Sequence, residues 1–137
     1  MTPLAEAIMA RYNSGAGAAF KAVTPGGLWL EDAPQFADEA DKKDYAVFGF
    51  PNIGHEETFT SNMEDPLVQF TLVSFDRDAK AVGDMFTKLK ALFDQCELTV
   101  AGFDFIEMRR DVSNLVRDPE DDAWDFMVDY QVQLQKQ

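Results

Sequence analysis

The sequence predicts an α+β fold: a mainly antiparallel sheet of about five strands, an amphipathic helix packed on one face, and a short N-terminal helix. Three observations carry this. Leu67 to Phe75 is a run of mostly β-branched or aromatic residues, preceded by Pro66 and closed by Asp76-Arg77-Asp78, which is a strand bounded by turn chemistry. Directly after it, apolar residues fall at Val82, Met85, Phe86, Leu89, Leu92 and Phe93, the i, i+3, i+4 spacing of one helix face. Near the C-terminus, Trp124, Phe126, Val128, Tyr130, Val132 and Leu134 alternate with Asp125, Asp129, Gln131 and Gln133, with Met127 among the latter. That is the period of a half-buried antiparallel strand.

In chain order, Pro3 to Tyr12 reads as the short helix, with Leu4, Ile8, Met9 and Tyr12 apolar and Pro3 suited to a first helical position. Asn13 to Gly17 ends it, and a further helical turn fits Ala18 to Val23. Thr24-Pro25-Gly26-Gly27 is a turn, Leu28-Trp29-Leu30 a short strand stopped by Pro34, and Asp38 to Asp44 a charged loop expected to be mobile. Tyr45 to Phe50 is the next strand, ended by Pro51. Asn52 to Glu57 is a turn carrying Gly54 and His55, and Glu57 to Ser61 a brief strand. Asp76 or Asp78 is placed to cap the central helix, and Asp84 and Lys88 stand i, i+4 on its polar face. After a connection containing Leu98-Thr99-Val100, a strand is predicted from Phe103 to about Val112. Its apolar residues change frame between Phe105 and Ile106, which predicts a β-bulge there. Asp118 to Asp122 joins it to the last strand, with Pro119 at position i+1 of a type I turn.

The chain has 137 residues, a length that suits one domain spanning 1–137. Its 46% hydrophobic content includes 12 Phe, 2 Trp and 3 Tyr, ample for a core. No apolar run approaches the roughly 18 residues of a membrane-spanning helix. The N-terminal stretch lacks a basic region and does not resemble a signal peptide. Cys96 is the single cysteine, so no internal disulfide can form, which fits a reducing compartment. The formal net charge is -13. A field of that sign repels phosphate backbones and disfavours nucleic-acid binding by counterion release.

The sequence supplies no catalytic, cofactor-binding or metal-binding residue. His55 is the only histidine, and no local motif around it supports a nucleophile–base pair, so it reads as a loop residue. Cys96 follows a helix end rather than a helix start, so nothing lowers its pKa, and it is expected to be an inert, partly buried thiol. The acidic clusters Asp118, Glu120, Asp121, Asp122 and Asp38, Glu39, Asp41 lack the glycine turn and distal bidentate Glu of a calcium loop. They read as solvated tips. Gly15-Ala16-Gly17 and Gly26-Gly27 do not lie between a strand and a helix as a phosphate loop requires. Arg109 and Arg110 stand out in an acidic chain. A surface pair within the chain is their expected role, with an acid of a neighbouring subunit as the alternative.

Taken together, several stretches resemble the tail-terminator (tail-completion) proteins of long-tailed bacteriophages. Trp29-Leu30-Glu31-Asp32-Ala33-Pro34 followed by Tyr45-Ala46-Val47-Phe48 is similar to the family's opening. Phe75-Asp76-Arg77-Asp78 leading into Ala79 to Phe93 looks like its central strand-to-helix unit. Leu98-Thr99-Val100, Met108-Arg109-Arg110, the turn at Asp118 to Asp122 and Asp129-Tyr130-Gln131-Val132 fit its closing hairpin. The likeness spans about residues 3 to 134 and rests on order and spacing; the loop from Asp38 to Asp44 is longer than the family pattern. The resemblance implies a non-enzymatic virion protein of the tail or neck, made in the host cytoplasm. It implies a homo-hexameric ring that stops tail-tube growth, with the tail tube protein on one side and a head-tail connector or stopper protein on the other. DNA would pass through without specific binding, and no membrane or cofactor is involved. Two other readings stay open: another neck component such as a stopper or head-completion protein, and a small acidic ligand-binding module or enzyme with a pocket between helix and sheet.

Overall fold

The computed structural model describes residues 2–51 and 63–137. Helix α1, Thr2–Tyr12, buries Leu4, Ala5, Ala7, Ile8 and Tyr12. A short 3-10 turn, Gly15–Gly17, reverses the chain into α2, Ala18–Val23, which buries Phe20. The reversal needs a glycine, because a Cβ on Gly17 would lie 2.0 Å from the Tyr12 carbonyl oxygen. The two helices are tied at their ends by a buried hydroxyl pair, Tyr12 Oη and Thr24 Oγ1, 2.8 Å apart. Phe20 sets its ring against the edge of Tyr12.

The strands are β1 (Leu28–Leu30), β2 (Tyr45–Gly49), β3 (Met63–Glu64), β4 (Leu67–Ser74), β5 (Phe103–Asp118) and β6 (Ala123–Lys136), and α3 (Lys80–Phe93) lies between β4 and β5. They form one sheet in which β1, β2, β4 and β6 are successive neighbours and β5 pairs with β6 on its far side. The two-residue β3 pairs with the end of β6 beyond the reach of β4. All pairings are antiparallel except β1 with β2, which is parallel.

All three helices belong to one core with one sheet face. Ala46, Phe48, Val68, Phe70, Leu72, Met108, Val128, Tyr130, Val132 and Leu134 point into it and have no exposed surface. From α3 come Val82, Met85, Leu89, Leu92 and Phe93, all buried. Phe70 is the hub, with ring centroids of Phe93, Tyr130 and Phe48 at 5.0, 5.7 and 5.8 Å. Such close-packed aromatic contacts add to the area they bury. On the opposite face, residues 31–44 fold back so that Phe36, Tyr45 and Phe75 form a three-ring cluster.

The predicted elements are present, with differences that have physical reasons. The first long strand does not stop near Val112 but runs to Asp118, since β6 offers partners as far as Ala123. The predicted bulge lies between Phe105 and Glu107, and a second irregularity follows between Arg110 and Ser113. β1 ends at Leu30, before Pro34, because Glu31 takes a left-handed φ of 65°. The charged loop expected to be mobile is pinned at its end. The Asp44 carboxylate accepts from Ser74 Oγ at 2.9 Å and from the Phe75 amide at 3.0 Å. Asp78 accepts from the Lys80 amide at 2.9 Å, filling the capping role. Asp84 pairs with Lys80 at 3.1 Å, one turn back, rather than with Lys88. Trp124 and Phe126 sit on the predicted face but are only partly buried. The turn with Gly54 and His55 and the brief strand from Glu57 to Ser61 lie outside the described residues.

Candidate functional site

The part of the molecule that departs most from an ordinary fold is the outer half of the β5–β6 hairpin. β5 lies at the edge of the sheet, and a strand there presents a row of unpaired backbone groups. Its first half is screened. The connection after α3 runs alongside, the Gln95 amide donates to the Met108 carbonyl at 3.2 Å, and Cys96 Sγ lies 3.7 Å from Met108 Sδ. Leu98 and Val100 of the same connection are buried. Beyond Met108, no strand among the described residues pairs with the outer side of β5.

A polar clamp marks the boundary. Asp94 follows the last turn of α3, where a carboxylate faces the negative end of the helix dipole. It is held there by two donors. Tyr130, fully buried on β6, donates its hydroxyl to Asp94 Oδ1 at 2.5 Å. Arg110 of β5 brings Nε to 3.2 Å from Asp94 Oδ2. The Arg110 guanidinium also lies over the Phe86 ring, 5.6 Å from its centroid, and Phe86 stacks on Phe126 at 4.2 Å. Burial and the adjacent carboxylate push the Tyr130 hydroxyl far above its usual range, so it stays a proton donor. The clamp joins α3, β5 and β6 at one point.

Past the clamp the strand is bare. Residues 111 to 116 are all exposed, among them Val112 at 57%, Leu115 at 42% and Val116 at 39%. Leu115 stands opposite Phe126 and Val116 opposite Asp125, so the apolar residues occupy both faces of the ribbon. Arg109 approaches an acid only at 3.9 Å, to Glu107. At the tip, Asp118 accepts from the amides of Glu120 and Asp121, and Arg117 pairs with Asp122 while its guanidinium lies over Trp124. Asp125 is half-buried on the ribbon, and burial first, then the charges of Asp118 and Asp121, hold its carboxyl above the usual range.

At the other edge of the sheet, Trp29 and Leu30 of β1 are 45% and 46% exposed. Beside them is an apolar notch of about 250 Å³ between α1 and the sheet, lined by Ala5, Met9, Leu30 and Phe50 with Glu6 and Glu31 at its rim.

The residues singled out in the sequence fall as follows. Arg110 has its partner within the chain, as expected for a surface pair, and Arg109 stays extended on the edge. Cys96 is buried, and burial pushes its thiol up. Among the described residues no group of three or more His, Cys, Asp or Glu is arranged to hold a metal ion. No described helix is long and apolar enough to cross a membrane. The Asp94–Tyr130–Arg110 clamp was not legible in the sequence, since its members are 16 to 36 residues apart.

Compared by sequence, the chain matches no protein-family model and none of the curated proteins. Compared by structure, it is similar to a chain of the virion of a native gene transfer agent (GTA) particle, with a TM-score of 0.75 and 8% identity over 95% of this chain and 92% of that one. A second solved protein, whose name states no function, aligns with a TM-score of 0.53 and 14% identity over 99% and 94% of the two chains. At these identities the likeness is one of fold.

Proposed function

We propose that the chain is a structural subunit of a phage-like virion and, within it, the tail terminator: a ring that ends tail-tube growth and joins the tail to the head connector. The observation that supports this most is the fold likeness to a virion chain over nearly the whole length of both proteins. The bare β5 edge is in keeping with it, because a subunit destined for a ring has surfaces that its own fold does not cover. The role is mechanical rather than catalytic. An acidic ring offers phosphates no binding site, so DNA slides past it.

Assembly has an expected sign. Each subunit carries a net charge of -13, and bringing six together builds up repulsion. Salt shortens the screening length from about 30 Å at 0.01 M to about 8 Å at 0.15 M, which relieves repulsion between exposed charges while leaving apolar contact intact. Ring population should therefore rise with ionic strength. Negative-stain microscopy of the purified protein at low and raised salt tests both points. Rings, or caps on tail tubes, are expected, and more of them at raised salt. Rings that dissolve as salt rises would place the dominant attraction in exposed ion pairs instead. Particles binding the head side alone would point to a stopper or head-completion protein.

A further inference from the structure

We infer that free copies of this chain pair through the outer half of β5: two β5 strands lie antiparallel across a two-fold axis at Asn114, and the two sheets run on as one. This stands apart from the ring reading. A two-fold contact joins two copies and stops there, so it belongs to the subunit before assembly and covers the bare edge until then.

The charge along this edge selects the occupant. Residues 111 to 116 form its bare middle and carry one charge, Asp111. Just before them stands Arg109, whose side chain is 70% exposed and whose paired acid, Glu107, is 3.9 Å away. Just after them stand Asp118 and the acids of the tip, Glu120, Asp121 and Asp122. The turn bonds Asp118 through Oδ1, from the amides of Glu120 and Asp121, which leaves Oδ2 for a further donor. An edge that is cationic at one end and anionic at the other is complementary to itself when two copies run antiparallel. A foreign strand would have to reproduce this order of charge; a second copy carries it by construction.

The register follows from the faces. Between Arg110 and Ser113 the strand is irregular, and Asp111 and Val112 together stand against the single residue Asp129 of β6, as in a bulge. Counting those two as one position, an axis at Asn114 sets Ser113 against Leu115 of the second copy, Val112 against Val116, and Arg109 against Asp118. Arg109, Val116 and Asp118 lie opposite Gln131, Asp125 and Ala123 of β6, so they share one face, and opposed residues of an antiparallel pair meet on one face. The exposed Val112, Leu115 and Val116 are thereby covered. Arg110 and Arg117 also come opposite each other, but each has a carboxylate in its own chain, Asp94 and Asp122. The β1 edge does not offer the same contact, because it is three residues long and its Leu30 carbonyl already accepts from the Asp32 amide at 2.7 Å. A bare stretch about 20 Å long makes a small interface, so the pair is a weak one.

Cysteine cross-linking reads the axis directly. The native Cys96 is buried, so the parent should stay unlinked under mild oxidation. Asn114→Cys puts two thiols on the axis and should yield a disulfide-linked pair of 15.4 kDa chains. Lys88→Cys, exposed on α3, should link about tenfold more slowly. Sedimentation equilibrium at about 0.15 M salt, where charges more than about 8 Å apart are screened, reads the charge pairing. The parent should show a monomer–dimer equilibrium. Arg109→Gln and Asp118→Asn, the second keeping the Oδ1 acceptor of the turn, should each weaken it about fivefold, and the two together no more than either alone. Circular dichroism should show every variant folded like the parent. Equal linking rates at 114 and 88, or a dimer indifferent to both charge changes, would overturn the inference. So would a parent that stays monomeric at every concentration, while caps on tail tubes in negative stain would still uphold the ring reading.

Discussion

The two halves of the β5–β6 hairpin are made of the same two strands, with β6 alternating throughout, yet β5 ends in opposite environments in the two. In the inner half, Met108, Tyr130, Val132 and Leu134 have no exposed surface. In the outer half, Val128 of β6 is still buried and Phe126 and Trp124 are partly buried, while Val112 and Leu115 of β5 are exposed. What separates the halves is whether another segment screens β5. The connection after α3 runs along β5 in the inner half, up to the Asp94–Tyr130–Arg110 clamp, whereas in the outer half α3 reaches β6 through Phe86 stacked on Phe126 and leaves β5 uncovered. Alternation in a sequence says which residues share a face. It does not say that anything covers that face.

The largest expected effect lies at the inner side of the boundary. Tyr130→Ala should cost about 4 kcal/mol, because it leaves a cavity beside Phe70 and Phe93 that close packing cannot refill. A urea titration checks it. Tyr130→Phe keeps the ring and removes the donor to Asp94. A hydrogen bond to a charged group is worth about 1.5–3 kcal/mol, so the same titration should show an intermediate loss. Phe126→Ala, on the outer side, should cost about 2 kcal/mol: part of the transfer energy of a full aromatic ring plus its stacking on Phe86. Equal losses at Tyr130 and Phe126 would break the comparison and put the outer half in the core.

The smallest effect is a pH dependence at Asp125. Its folded carboxyl lies above the usual range, chiefly through burial. The folded state therefore holds this proton more readily than the unfolded chain does. Stability from this group falls as pH rises from the ordinary Asp value of about 3.9 through the folded value, and the deficit is complete above it. Asp125→Asn should remove the deficit. Its urea midpoint should exceed the parent's at pH 7, with the advantage gone at pH 3. An unchanged difference at both pH values would assign the effect to packing.

Much of this fold was determined by local sequence alone. The strand from Leu67, the helix face from Val82 to Phe93, the alternation from Trp124 to Leu134 and the bulge after Phe105 all follow from side-chain period and turn chemistry, which act between residues close in the chain. The cap by Asp78 and the short helices around Asn13 to Gly17 belong to the same class. Tertiary structure alone decided the rest. Period cannot tell that β1 lies parallel to β2, that β5 extends to Asp118 along a longer partner, or that Asp44 reaches across to Ser74 and Phe75. Nor can it tell that Arg110 and Tyr130 converge on Asp94, or that one half of β5 is screened and the other bare. These depend on which distant segments share space, and a repeating pattern of apolar residues fits many such arrangements equally well until the sheet order selects one.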